Sequence, residues 1–204
     1  MRKLSRPAEL QELTNARRTY VSIPSADEAW KKFGDNGDRK KVREQLESVQ
    51  DDLCAYCENS LEDNAHIDHF KPKSLDRNVT FEWENLIVSC TNNDSCGNKK
   101  ANNFQTYWIN PYLTDPSEKF KFYSDGQIIG ANSDAEKIIK DFGLDCPRLK
   151  EKREGILSAY QVNILAVAEF PEALEYFLEN EAKIFVLLVF CCSLRFVRKP
   201  TIMK

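Results

Sequence analysis

The spacing of apolar positions changes along the chain, and each change predicts a different element. Residues 1–50 are polar, with apolar positions at helical intervals. Ser25-Ala-Asp-Glu28 has the spacing of a capping box, so a helix through Trp30 and Phe33 follows, and Gly34 and Gly37 break it. Asp38 opens a second helix through Val42, Leu46 and Val49. Beyond residue 115, Phe120-Lys-Phe-Tyr and Gln127-Ile-Ile flank Asp125-Gly126, which predicts a hairpin with a tight turn. Ser133-Asp-Ala-Glu136 repeats the capping-box spacing and predicts a short helix ending near Gly143. From Pro147 the pattern is helical. One amphipathic helix covers Arg148 to Phe170, and Pro171 takes the first position of another that runs towards Arg198. The stretch Ile184–Phe190 is apolar on all sides, which predicts burial in a bundle or against another subunit.

The apolar run Ile184–Leu194 has 11 residues, against the roughly 20 needed to span a bilayer, so no membrane is expected. The N-terminal stretch lacks the apolar region of a signal peptide. With seven cysteines, an odd number, a disulfide framework is not expected, and a reduced, cytoplasmic setting is. The formal net charge is −3, which does not favour unaided nucleic-acid binding. The charge is uneven: residues 1–50 carry 11 Lys and Arg against 8 Asp and Glu, whereas residues 66–103 balance at 5 and 5. If the chain binds phosphate, a partner is expected to supply part of the attraction.

Residues 51–115 hold the chemistry. Cys54-Ala-Tyr-Cys57 sets two thiolates on one side of a tight loop, and Cys90 with Cys96 forms a second, wider pair. Together they predict a tetrahedral, structural Zn²⁺ site that closes the ends of the module. Cys146, Cys191 and Cys192 stand in apolar contexts and are expected to pack in cores. The chain's two histidines both fall in His66-Ile-Asp-His69, between the cysteine pairs. Histidine titrates near neutrality and suits a general base, and a carboxylate suits Mg²⁺ or Mn²⁺. On a strand, His66 and Asp68 share one face and His69 takes the other. Asn85 can fix the neighbouring loop or orient the His69 imidazole. Asn98 can give the metal a neutral oxygen, a role open also to Asn92 and Asn93. Lys71, Lys73, Lys99 and Lys100 would add positive charge for a phosphate backbone, although a solvated face is the plainer reading of any one of them.

The series Cys54-x-x-Cys57, HIDHFKPKS, WENLIVSC and CGNKKAN resembles the HNH endonuclease superfamily. More narrowly, it resembles the PtuB-type HNH nucleases of Septu and retron-associated antiphage systems. The resemblance covers residues 54–103. It implies a ββα-metal module, and together with the pattern of elements above it gives an expected α+β chain made of a helical arm (1–50), the module (51–115) and a hairpin plus helical, partner-binding region (116–204). It implies His69 as general base, Asp68 and Asn98 as ligands of the catalytic Mg²⁺ or Mn²⁺, Asn85 as the middle Asn, and His66 as a further ligand or phosphate contact. It places Cys54, Cys57, Cys90 and Cys96 on structural Zn²⁺. The implied partners are nucleic acid, with DNA favoured over RNA, and a PtuA-like ATPase, with a retron reverse transcriptase and its RNA–DNA product in some systems. Two other readings compete: an RNA-cleaving effector with the same site, and a zinc-stapled binding or scaffold module without catalysis.

Overall fold

A computed structural model describes residues 1–61 and 65–167. The expected helix after Pro171, the apolar stretch Ile184–Phe190, Cys191 and Cys192 lie outside the described residues. Among those described, the chain is α+β, with six α-helices and two small antiparallel sheets. None of these helices is long and apolar enough to cross a membrane. The chain divides into two compact units, Arg2–Asp115 and a second from Pro116 onward.

In the first unit, α1 (Gln11–Thr19), α2 (Ala26–Asp35) and α3 (Asp38–Val49) precede the strands. The Ser25 side chain accepts from the Glu28 N–H at 3.2 Å, so the expected capping box does start α2. Gly34 does not break that helix, which runs to Asp35. The break comes at Gly37, whose φ of +80° suits a residue without a Cβ. The helices bury Leu13, Ala29, Phe33, Val42 and Leu46. Phe33 and Phe81 meet edge to face at 5.4 Å, and Tyr20 stacks on Phe81 at 5.7 Å. This aromatic cluster ties the helical arm to the segment between the strands.

Strands β1 (Ala65–His69) and β2 (Leu86–Cys90) pair antiparallel, with His66 opposite Ser89, Asp68 opposite Ile87 and His69 opposite Leu86. The five-residue helix α4 (Cys96–Lys100) follows and packs on β2. Every residue of β2 is buried, as expected for a strand covered on both faces. Its backbone edge away from β1 is satisfied by a side chain. Gln50, fully buried, accepts from Val88 N at 3.0 Å and donates to Val88 O at 2.9 Å. The same amide donates to Leu53 O and accepts from the Tyr112 hydroxyl. The chain's first residues strap the other end. The Arg6 guanidinium lies 3.7 Å from the Tyr112 ring centre and donates to Leu86 O at 2.8 Å, while Trp83 donates to Pro7 O.

In the second unit, β3 (Phe120–Phe122) and β4 (Ile128–Gly130) form the expected hairpin, closed by a Tyr123–Gly126 turn with Gly126 at φ +78°. Helix α5 (Ser133–Asp141) packs on β4. Its cap is Asn132 rather than Ser133: the Asn132 side chain accepts from Ala135 N at 2.9 Å. Glu136, expected to complete the box, accepts instead from Gly130 N. Helix α6 (Pro147–Val167) begins at the proline itself.

Gln50→Leu keeps the volume near that of glutamine and removes the amide, leaving the Val88 N–H and the Tyr112 hydroxyl buried without their partner. Urea denaturation should show a loss of about 3 kcal/mol, and a loss below about 1 kcal/mol would deny the amide its part in holding β2.

Candidate metal and active site

The four cysteines arrive from two places. Cys54 and Cys57 sit on the turn after α3, and Ala55 N on that turn donates to Val88 O at 3.1 Å, docking it on β2. Cys90 ends β2 and Cys96 begins α4. Their sulfur atoms all lie within 4.8 Å of one another, and among the described residues this is the one cluster of three or more such ligands. Cys54, Cys90 and Cys96 are buried. Hydrogen bonding from the other three thiols drives the Cys90 thiol far below its ordinary range. Such crowding of buried thiols is unfavourable without a cation to share them. The donor set fits a metal such as zinc, which binds four thiolates tetrahedrally. The extra residues between Cys90 and Cys96 do not prevent closure of the cluster, and Cys96 heads α4 with φ +60°.

The expected residues of β1 and α4 converge on an open cleft of about 350 Å³, whose lining includes His66, Asp68, His69, Lys73, Asn98 and Lys100. Asp68 is buried, and both its oxygens are engaged. Tyr56 donates to Oδ2 at 2.6 Å and Lys100 Nζ lies 3.2 Å from Oδ1. Burial raises the Asp68 pKa, opposed by the nearby Lys100 ammonium. His66 lies on the same face. A methyl group added at Gly97 would sit 3.0 Å from Ser89 Oγ, 3.1 Å from His66 Nε2 and 3.2 Å from Asp68 Cγ. The imidazole and the carboxylate thus close in on a position that glycine leaves empty.

His69 faces away, as strand alternation requires. Its ring packs edge-on against Trp30 at 4.6 Å, and its Nε2 lies 2.9 Å from the Thr80 carbonyl oxygen. A carbonyl only accepts, so Nε2 carries the proton and Nδ1 keeps its lone pair. Burial lowers the His69 pKa to about 4, which leaves the ring neutral at neutral pH. Burial likewise lowers that of His66.

The remaining expected residues divide. Asn85 is not at the cleft. Its amide accepts from Lys71 N at 2.7 Å and donates to Lys71 O and Val79 O, so of its two expected roles the geometry matches loop fixing. The Asn98 amide donates to Thr91 O at 2.8 Å and to Asn93 Oδ1, and makes no hydrogen bond to Asp68. Lys71 pairs with Asp76 at 2.7 Å and Lys73 with Asp27 at 2.9 Å. Lys99 is exposed, whereas Lys100 is 1% exposed and also donates to His69 O at 2.9 Å. Sequence reasoning missed Tyr56, Thr80 and Gly97. Tyr56 stood in plain view between the two cysteines of the first pair. Thr80 acts through its carbonyl, which no side-chain pattern reports.

No protein-family model matches the chain. It is similar to a Vibrio cholerae serotype O1 biovar El Tor protein named "Retron Vc95 putative HNH endonuclease", at 32% identity over 133 residues, which cover 58% of this chain and 64% of that one. It is also similar to the Septu protein PtuB of Bacillus thuringiensis, at 27% identity over 128 residues, covering 59% of this chain and 46% of the relative. The chain therefore spans less than two thirds of the length of either relative. The resemblance to HNH nucleases of antiphage systems rests on both.

The purified chain should hold about one Zn²⁺, released as the thiols are titrated with a mercurial reagent. Cys54→Ser should lose the metal and the cooperative unfolding of the first unit, since structural zinc contributes folding energy directly. Stoichiometric zinc retained in Cys54→Ser, with unchanged melting, would deny the cluster its structural part.

Proposed function

We propose that this chain is a metal-dependent HNH endonuclease that hydrolyses phosphodiester bonds of nucleic acid, with DNA favoured. In this reading it is the nuclease component of an antiphage defence complex with an ATPase partner. The observation that carries the reading is the state of His69: a buried, neutral imidazole whose protonated Nε2 donates to a backbone carbonyl, leaving Nδ1 unprotonated, on a residue that lines the same open cleft as Asp68. Such an imidazole has a free nitrogen lone pair at neutral pH, as a general base requires. The retron and Septu relatives point to the same chemistry and to a defence setting.

In this reading His69 accepts the proton of the attacking water. Thr80 fixes the tautomer, and the edge of Trp30 limits the ring's rotation. A divalent Mg²⁺ or Mn²⁺ would supply charge stabilisation to the scissile phosphate and the departing 3′ oxygen. Asp68 and His66 would hold it, because their side chains converge beside Gly97. Asn98, whose amide nitrogen donates to Thr91 O and Asn93 Oδ1, keeps its oxygen for the neutral-ligand role at the same cleft. Tyr56 and Lys100 bond the carboxylate without consuming all its lone pairs, and they fix its orientation. Asn85 pins Lys71, and with it the chain leaving β1, so that His69 stays at the cleft.

His69→Ala should abolish plasmid nicking in Mg²⁺ or Mn²⁺ while still folding with a cooperative melt, lowered by the lost packing on Trp30 and the lost bond to Thr80, and wild-type products should carry 5′ phosphates. The assay is run on plasmid DNA and total RNA, with and without an ATPase partner. Normal cleavage by His69→Ala would overturn the role of His69. Silence of the wild type on both substrates, with partner present, would favour the zinc-stapled scaffold.

Manganese binding followed by electron paramagnetic resonance, on protein loaded with zinc beforehand, separates the ligand assignments. His66→Ala and Asp68→Asn should each weaken Mn²⁺ binding about tenfold or more, and Asn98→Ala much less. The reverse order would restore Asn98 as the second ligand.

A further inference from the structure

The lysines nearest the catalytic cleft are largely engaged by acids, Lys71 by Asp76, Lys73 by Asp27 and Lys100 by Asp68. A polyanion approaching His69 therefore needs positive charge from elsewhere. A second open cleft, of about 380 Å³, adjoins the first and shares His66 and Ile67 with it. Its far wall is the start of α3, which presents Arg39, Lys40 and Arg43, and Trp30 lies between that wall and β1. The three cations fall at i, i+1 and i+4 of the helix; Arg39 and Lys40 are exposed, and Arg43, which borders the stripe that carries Val42 and Leu46 into the core, is half-buried.

Their charges are only partly compensated. Among the described residues Arg39 has no acidic partner, and its guanidinium lies over Gly34, where a Cβ would come within 2.6 Å of Cζ. Lys40 is 3.7 Å from Glu44, an exposed pair one helical turn apart that a phosphate can readily replace. Arg43 is held by Glu47 through Nε at 2.6 Å, which leaves its terminal nitrogens for another acceptor. The field of Arg43 is felt at His66. Trp30 joins the two clefts physically, since it lines the second while its ring packs against His69.

We propose that Arg39, Lys40 and Arg43 of α3, with Trp30 and His66 beneath them, form the track that carries the phosphodiester backbone next to the scissile phosphate. The identity of the polyanion rests on the nuclease reading. The position of the track rests on the charges and the shared cleft. Arg39 and Arg43 offer forked donors suited to phosphate oxygens, and Lys40 adds a point charge. Nothing on this wall reads a base edge, so its contribution is independent of sequence.

The test measures fluorescence anisotropy of labelled duplex DNA and single-stranded RNA of about 30 nucleotides, without added divalent metal, with the zinc-loaded chain. Wild type is compared with the triple variant Arg39→Gln/Lys40→Gln/Arg43→Gln. A control, Lys119→Gln/Lys121→Gln/Lys137→Gln, removes the same charge from the second unit. All six side chains lie outside the core, and thermal melts confirm folding. The α3 variant should raise Kd about tenfold or more near physiological salt and lower the slope of log K against log salt by about 2 to 3 on duplex DNA, at about 0.9 per phosphate contact. The control should change neither. Equal losses in both variants, an unchanged α3 variant, or no binding by wild type would overturn the track. Metal-dependent cleavage by wild type combined with an unchanged α3 variant would overturn the track and leave the nuclease standing. Loss of binding in the α3 variant, with no cleavage in any metal, would keep the track and remove the nuclease.

Discussion

The register of β1 against β2 is the constraint on which the site depends. With Asp68 opposite Ile87, strand alternation sends His66 and Asp68 to the face where α4 brings Gly97 and Lys100, and sends His69 to the face where α2 brings Trp30. A slip of one residue would exchange the faces and leave a carboxylate against the aromatic cluster. A two-stranded ribbon is marginal alone and does not fix its own register. Here the register is fixed from outside, by the Gln50 amide on Val88, by the docked cysteine turn, and by a thiol cluster that contains the last residue of β2.

This arrangement explains which features were legible in the sequence. The cysteine quartet, the opposition of Asp68 and His69, and the helices opened by Ser25 and Asp38 follow from local spacing, and local spacing survives folding. The α5 cap moved by one residue because Asn132 and Ser133 are both good caps, and Glu136 was drawn to Gly130 by the close approach of α5 to β4. Gly34 remained helical because the fold needed no left-handed residue until Gly37.

The site's finer partners were not legible, and for a common reason. Lys100 reads as one of two adjacent basic residues on a short helix. Only the packing of α4 on β2 turns it inward while Lys99 remains in solvent. Asn98, one step earlier still, reads as a ligand, and the sequence does not show that its amide nitrogen would also tie the loop created by the wide Cys90–Cys96 gap. A side chain's neighbours across 30 residues depend on how elements pack, and identity alone does not report them.

Tyr56 joins two centres that the sequence presents as separate. Its neighbours in the chain carry the first thiol pair, and its hydroxyl holds Asp68 from 2.6 Å away. The thiol cluster and the acidic centre therefore share one tight turn as a common lever. A displacement of that turn would reach the carboxylate through the phenol ring, although neither thiol lines the cleft.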